Sequence, residues 1–311
     1  MTTLPTGAQY AIAHGGHTAV VTEVGATLRT YEVAGRAVLD GFAQDEQVVG
    51  ARGMSLLPWP NRVADGRWSW RGQELQLALT EPDRQCAIHG LTRWAPWRLV
   101  EHTPSSVRLQ HLLPPQTGWP FTLLCELGYA LTQEGLTVST TVTNVGAQPS
   151  PFATGAHPYL SAGGGLVDEC EVQVGATSWL PTDARGIPTG VRTVEGSDRD
   201  LRRATAFGTR VIDEAYTDLD RDADGRARVV VTRPDGTAVQ LWAGPEYPYL
   251  EVFSGDTLPV GLRRRGLGVE PMTAPPNALQ TGQDLIVLAP GQTRTFRWGI
   301  GPLSGGAQLG R

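Results

Sequence analysis

The chain has 311 residues and a net charge of -5, and none of its 26 basic residues is a lysine. Schiff-base aldolases, pyridoxal-phosphate enzymes and P-loop NTPases all need a lysine amine at the reacting or phosphate-binding centre, so none can be built from it. The acidic balance argues against nucleic acid or an anionic membrane as partner, since both recruit surplus positive charge. It leaves small neutral ligands open.

Along the chain, short runs rich in Val, Thr, Leu and Trp alternate with Gly, Pro, Asn and Asp clusters, the pattern of strands joined by turns. The expected strands cover 17–24, 26–33, 68–70, 97–101, 106–112, 121–131, 136–145, 227–232, 238–242, 249–253 and 293–299. Two hairpins stand out. Residues 124–131 turn through Thr132-Gln133-Glu134-Gly135 into 136–145, and 229–232 turn through Arg233-Pro234-Asp235-Gly236 into 239–242. Only 198–207 reads as a short helix. No linker composition and no internal repeat divides the chain, so the expectation is all-β: one large antiparallel β-sandwich domain over 1–311, with a loose tail at 304–311.

The first residues, MTTLPTGAQYAIAHGG, lack a basic region followed by an apolar stretch, and the expected location is cytoplasmic. Three cysteines, Cys86, Cys125 and Cys170, are odd in number and lack CxxC spacing, as expected of buried, reduced thiols. Asp220, Asp222, Asp224 and Gly225 copy the opening of a calcium loop, but position twelve is Val231 rather than a bidentate glutamate, so an acidic hairpin turn is expected there. The run Arg263-Arg264-Arg265 reads as solvated loop surface, with phosphate binding as the minor reading.

Chemistry concentrates in three rigid turns: HGL at 89–91, AHPYL at 156–160 and VEPMTAPPNAL at 269–279. His157 precedes a proline and an aromatic that would fix its ring, and Glu270 precedes Pro271 on stiff backbone. A carboxylate that accepts a proton and an imidazole that donates one suffice for proton-transfer catalysis near neutral pH, without metal or coenzyme. His14, His17, His102 and His111 have no such framing and read as structural. No third ligand stands at helical or strand spacing from His89 or His157, so no metal is expected. Trp59, Trp94 or Trp242 could stack on the apolar face of a ligand.

Taken together these segments resemble the aldose 1-epimerase (galactose mutarotase) family. The resemblance runs from Val20 to Gly299, through VTEVGATLRTY, LLPWPNRVADGRWSWRG, AIHGLTRW, AHPYL, VIDEAYTDL, LEVFSGDTLP, VEPMTAPPNAL and LAPGQT, in order. It implies a β "supersandwich" and interconversion of the α and β anomers of a free aldohexose such as glucose or galactose. It also implies Glu270 as general base on the anomeric hydroxyl and His157 as the acid on the ring oxygen. His89 joins them at the reacting centre, while Arg62, Asp213, Asn61 and Trp242 form the expected sugar-binding set. The chain departs from the better-known galactose mutarotases at Ala156, at Leu160-Ser161 and at Asp213-Glu214, positions that bear on sugar preference. The expected partner is a monosaccharide, with monomer and homodimer both open. Three other readings remain: a hexose 6-phosphate mutarotase using Arg93 and the 263–265 arginines, a non-catalytic sugar-binding protein, and a polysaccharide-cleaving enzyme of similar shape.

Overall fold

The computed structural model describes residues 3–303. The tail expected at 304–311 lies outside the described residues. Two large antiparallel sheets dominate. One has nine strands, in the order Arg98–His102, Ser106–Leu113, Leu123–Thr132, Gly135–Asn144, Thr293–Pro302, Ala238–Ala243, Ala227–Thr232, Glu171–Val174 and Thr205–Ala206. The other has eight strands, in the order Arg192–Thr193, Ala176–Trp179, Asp213–Leu219, Tyr249–Phe253, Gly266–Met272, Gly155–Ala156 and Ser55–Leu56, with Tyr159–Ser161 also pairing with Gly266–Met272. A four-stranded N-terminal sheet begins at Gln9–His14.

Both expected hairpins form, closing at Thr132 opposite Gly135 and at Thr232 opposite Ala238. The expected helix does not. Residues 198–207 form bends and the short strand Thr205–Ala206, where Arg202 is drawn onto Asp200 (2.7 Å) rather than onto a helical neighbour. Among the described residues the single α-helix is the short Ala278–Thr281, which begins at the end of the segment read as a rigid turn. Among the described residues no helix is long and apolar enough to cross a membrane.

Alternation explains how the sheets share a core. In the nine-stranded sheet Leu123, Cys125, Leu127, Tyr129 and Leu131 point one way along their strand and are buried, while the residues between them are half-covered or exposed. From the eight-stranded sheet Tyr216, Leu250, Val252, Leu267 and Val269 enter the same apolar cluster. Trp59, Trp68, Trp119 and Phe121 pack in stacked, tilted and edge-on pairs with ring centroids 5.1–6.3 Å apart within it. Cys86, Cys125 and Cys170 are buried and unpaired.

The opposite face of the eight-stranded sheet is different. Register pairs Glu251 with Glu270 and Asp213 with Phe253, so Asp213, Glu251, Phe253 and Glu270 all point away from the core. The loops that carry Asn61, Glu81, His89 and Arg93 meet this polar face around a cavity.

Candidate active site

Glu270 stands in the middle of Gly266–Met272, a strand buried along its whole length, rather than in a loop or at a strand end. His157 follows Gly155–Ala156 and is locked by backbone bonds on both sides: its N–H donates to the Met54 carbonyl and its carbonyl accepts from Gly53 N–H, each at 2.9 Å. The two side chains meet, with His157 Nε2 3.0 Å from Glu270 Oε1, and both are almost fully buried. Tyr159 stacks on the imidazole at 5.0 Å and is anchored through its hydroxyl to the Gly50 carbonyl (2.8 Å). The arrangement leaves His157 Nδ1 and Glu270 Oε2 without partners.

His89 occupies the left-handed region (φ 62°), and the next residue, Gly90, does too (φ 72°). A Cβ on Gly90 would lie 1.9 Å from the Leu57 carbonyl oxygen, so only glycine fits this turn. The Asn61 amide donates to His89 Nδ1 (3.2 Å), and His89 N–H donates back to the Asn61 carbonyl (2.9 Å). With Nδ1 accepting, the neutral ring carries its proton on Nε2 as a fixed donor. Burial, with Arg93, His157 and Arg62 nearby, holds the His89 imidazole well below its ordinary pKa, so it stays neutral.

Arg62 is gripped by a residue the sequence reading passed over, Glu81, through Nε to Oε2 (2.7 Å) and Nη2 to Oε1 (3.0 Å). This fork fixes the guanidinium plane. Asp213 borders the same cavity with Arg84 3.9 Å away, and Glu214 turns to Arg199 (2.8 Å). Glu251, also passed over, lies opposite Glu270 with Oε2 unpaired. The signal for it was the glutamate inside the apolar run LEVF, which alternation should have excluded from a buried strand.

The cavity holds about 350 Å³ and is bordered by Asn61, Arg62, His89, His157, Asp213 and Glu270. That is the small end of the usual range for small-molecule sites. Trp242 is not there. It belongs to the nine-stranded sheet, where Arg226 stacks on its ring at 4.2 Å, because the residues flanking it, Leu241 and Ala243, are the core-facing ones. Trp59 is buried in the aromatic core, and Trp94, about half exposed, is the tryptophan at the cavity. The 263–265 arginines are engaged within the fold: Arg264 with Asp168 (2.7 Å) and Asp256 (2.8 Å), Arg265 with Asp40 (2.9 Å), and Arg263 with the Leu258 carbonyl. Of the remaining histidines, His17 bonds the Tyr31 hydroxyl (2.8 Å), His102 the Ala11 carbonyl and His111 the Pro96 carbonyl, all away from the cavity. In the acidic turn, Asp222 accepts from Asp224 and Arg226 N–H and pairs with Arg228 (2.6 Å).

One expectation changes its footing. Sequence spacing offered His89 and His157 no third metal ligand, yet the fold supplies one in Glu270, and one donor atom from each lies within 4.8 Å of the others. Two histidines and a carboxylate can hold a divalent ion. The direct His157–Glu270 contact is equally the geometry of a shared proton, which the chemistry below uses.

Burial acts on the pair in opposite senses. It pushes His157 down to about 3 and raises the Glu270 carboxyl well above the ordinary carboxylate range, Asp213 adding to the rise while Arg62 opposes it. A raised carboxyl is a stronger base once ionised, and a lowered imidazolium a stronger acid once protonated.

An antiparallel β-sandwich with a buried imidazole and carboxylate in contact beside a polar cavity defines a class of acid-base site. The chain belongs to the aldose 1-epimerase family, whose model matches residues 8–300. It is 33% identical to an uncharacterised Escherichia coli protein, YihR, over 94% of this chain and 93% of that one. It is 29% identical to human galactose mutarotase over 58% of this chain and 53% of that one. Among solved structures, a Caenorhabditis elegans GalM/aldose epimerase homologue aligns with a TM-score of 0.85 at 17% identity, covering 95% and 98% of the two chains.

Proposed function

We propose that this protein interconverts the α and β anomers of an aldohexose through its open-chain aldehyde, with Glu270 and His157 moving the protons. The observation that carries the reading is the 3.0 Å contact between His157 Nε2 and Glu270 Oε1, buried at a cavity of monosaccharide size.

The transfer starts from a minor form in which Glu270 is ionised and His157 protonated, held by their 3.0 Å contact against the burial that keeps the resting pair neutral. The C1 hydroxyl gives its proton to Glu270 while His157 gives one to the ring oxygen, and the C1–O5 bond breaks to leave an aldehyde. Neutral imidazole and neutral carboxyl result, so the transfer relieves the desolvation cost of forming the charged pair. Rotation about C1–C2 turns the other carbonyl face toward O5. Closure then runs the transfers in reverse, with His157 taking the O5 proton and Glu270 returning one to O1. Each positioned proton transfer contributes about 10²–10⁴ in rate.

The remaining groups recognise hydroxyls. His89 donates from Nε2, Arg62 presents the part of its fork that Glu81 leaves free, and Asp213 accepts. Asn61 contributes through its backbone by fixing the His89 ring, and Trp94 takes the stacking role expected of Trp242.

The test is optical rotation of freshly dissolved α-D-glucose and α-D-galactose with and without wild-type protein, in EDTA. Acceleration over the spontaneous rate is expected and should be insensitive to the chelator. Sugar binding without acceleration would favour a non-catalytic sugar-binding protein and sink the reading.

A further inference from the structure

Two arginines border the cavity, and among the described residues Arg93 is the one of them without an ion-pair partner. Arg62 is forked onto Glu81, and Arg84, outside the cavity lining, stands between Glu81 (3.8 Å) and Asp213 (3.9 Å). Arg93 borders the same cavity beside His89, His157 and Trp94, and its one hydrogen bond runs from Nη2 to the Ile88 carbonyl (2.9 Å). Its Nε is buried with no partner. Among the described residues no carboxylate oxygen lies within 4.0 Å of its nitrogens. Burial pushes the guanidinium down to about 10, with only the distant charge of Glu81 acting the other way. Its field reaches the reacting groups, since it is among the causes that lower both His89 and His157.

A buried charge is costly unless paired, and a fork with free donors matches an oxyanion better than it matches a hydroxyl. A neutral hexose would satisfy a donor but leave the charge where it is. The 263–265 arginines do not border this cavity, and Arg264 and Arg265 are paired with Asp168, Asp256 and Asp40. We infer that the aldose taken by this cavity carries an anionic substituent, bound by Arg93. This rests on the mutarotase reading and narrows its substrate class. A phosphate ester, a sulfate ester and a carboxylate share the required chemistry.

The experiment measures anomer exchange by magnetisation-transfer NMR for glucose, glucose 6-phosphate, glucose 6-sulfate and glucuronate, with wild type, Arg93→Gln and Arg93→Lys. Wild type should favour at least one anionic sugar over glucose in kcat/KM by about tenfold or more, as expected of hydrogen bonds to a charged group. Which one it favours identifies the anion. Arg93→Gln should cut that ratio by about tenfold, Arg93→Lys should keep part of it, and added salt should lower it in wild type. Equal or better turnover of glucose by wild type would overturn the inference while leaving the mutarotase reading standing, and so would an equal loss on all four sugars in Arg93→Gln. Should Arg93→Gln not fold, the wild-type ratio and the lysine variant decide alone. No acceleration of any sugar by wild type would remove the mutarotase reading, and this inference with it.

Discussion

At the scale of single residues the site is built from groups whose burial sets their chemistry. His157 is neutral when folded and free to protonate when unfolded, because burial lowers its folded pKa to about 3 from an ordinary value near 6.5. A depressed histidine contributes stability that is fully present above the unfolded value and is lost as pH falls towards the folded one. Between about pH 6.5 and 3 this residue should therefore cost up to about 1.4 kcal/mol per pH unit. Chemical denaturation of wild type and His157→Gln across that window should show the flatter slope in the variant; parallel slopes would mean the imidazole is not buried neutral. Glu81 makes a second, separable prediction. Glu81→Gln keeps the shape but removes the charge from the Arg62 fork, so KM should rise several-fold with a smaller change in kcat, whereas a kcat loss matching Glu270→Gln would assign Glu81 a direct chemical role.

The two elements at the heart of the site were the hardest to read. The nine-stranded sheet announces itself because Leu123–Thr132, Gly135–Asn144 and Ala227–Thr232 alternate or carry β-branched runs between clear turns. Gly266–Met272 does neither. It holds two glycines, a glutamate and a proline and is buried on both faces, so period-2 reading finds nothing, and Glu270 was visible only through its rigid flank. Asp213–Leu219 and the short pieces Ser55–Leu56 and Gly155–Ala156 escaped for the same reason, having too little length or contrast. The site histidines were legible because glycine and proline hold them in special turns, and Gly90 shows the cause. Gly90→Ala must meet the Leu57 carbonyl, which should destabilise by about 1–3 kcal/mol and displace His89. Thermal melting together with the mutarotation rate checks this; an unchanged melting temperature would mean the turn relaxes freely.

Over the whole molecule, one continuous core holds two sheets back to back and leaves the outer face of the eight-stranded sheet for chemistry. The sandwich class was legible because patterning is a property of many strands at once and survives errors in a few. Trp242 shows what pattern alone lacks: nothing in its local sequence tells which sheet, or which face, a half-buried tryptophan will join. Core and site should be separable in mutants. Trp68, buried in the aromatic cluster with its indole N–H on the Gly118 carbonyl (3.1 Å), should cost about 3–5 kcal/mol as Trp68→Ala, with kcat retained in the fraction that stays folded. Loss of kcat in fully folded Trp68→Ala would show that core and cavity are coupled.

The most direct test of the central claim is the mutarotation rate of Glu270→Gln on whichever sugar the wild type turns over best. Glutamine preserves the side chain's volume and its place in the buried strand but cannot take the anomeric proton. The account predicts a fall in kcat of about 10²–10⁴ with the fold intact by circular dichroism. A folded Glu270→Gln protein with near-wild-type kcat would contradict it.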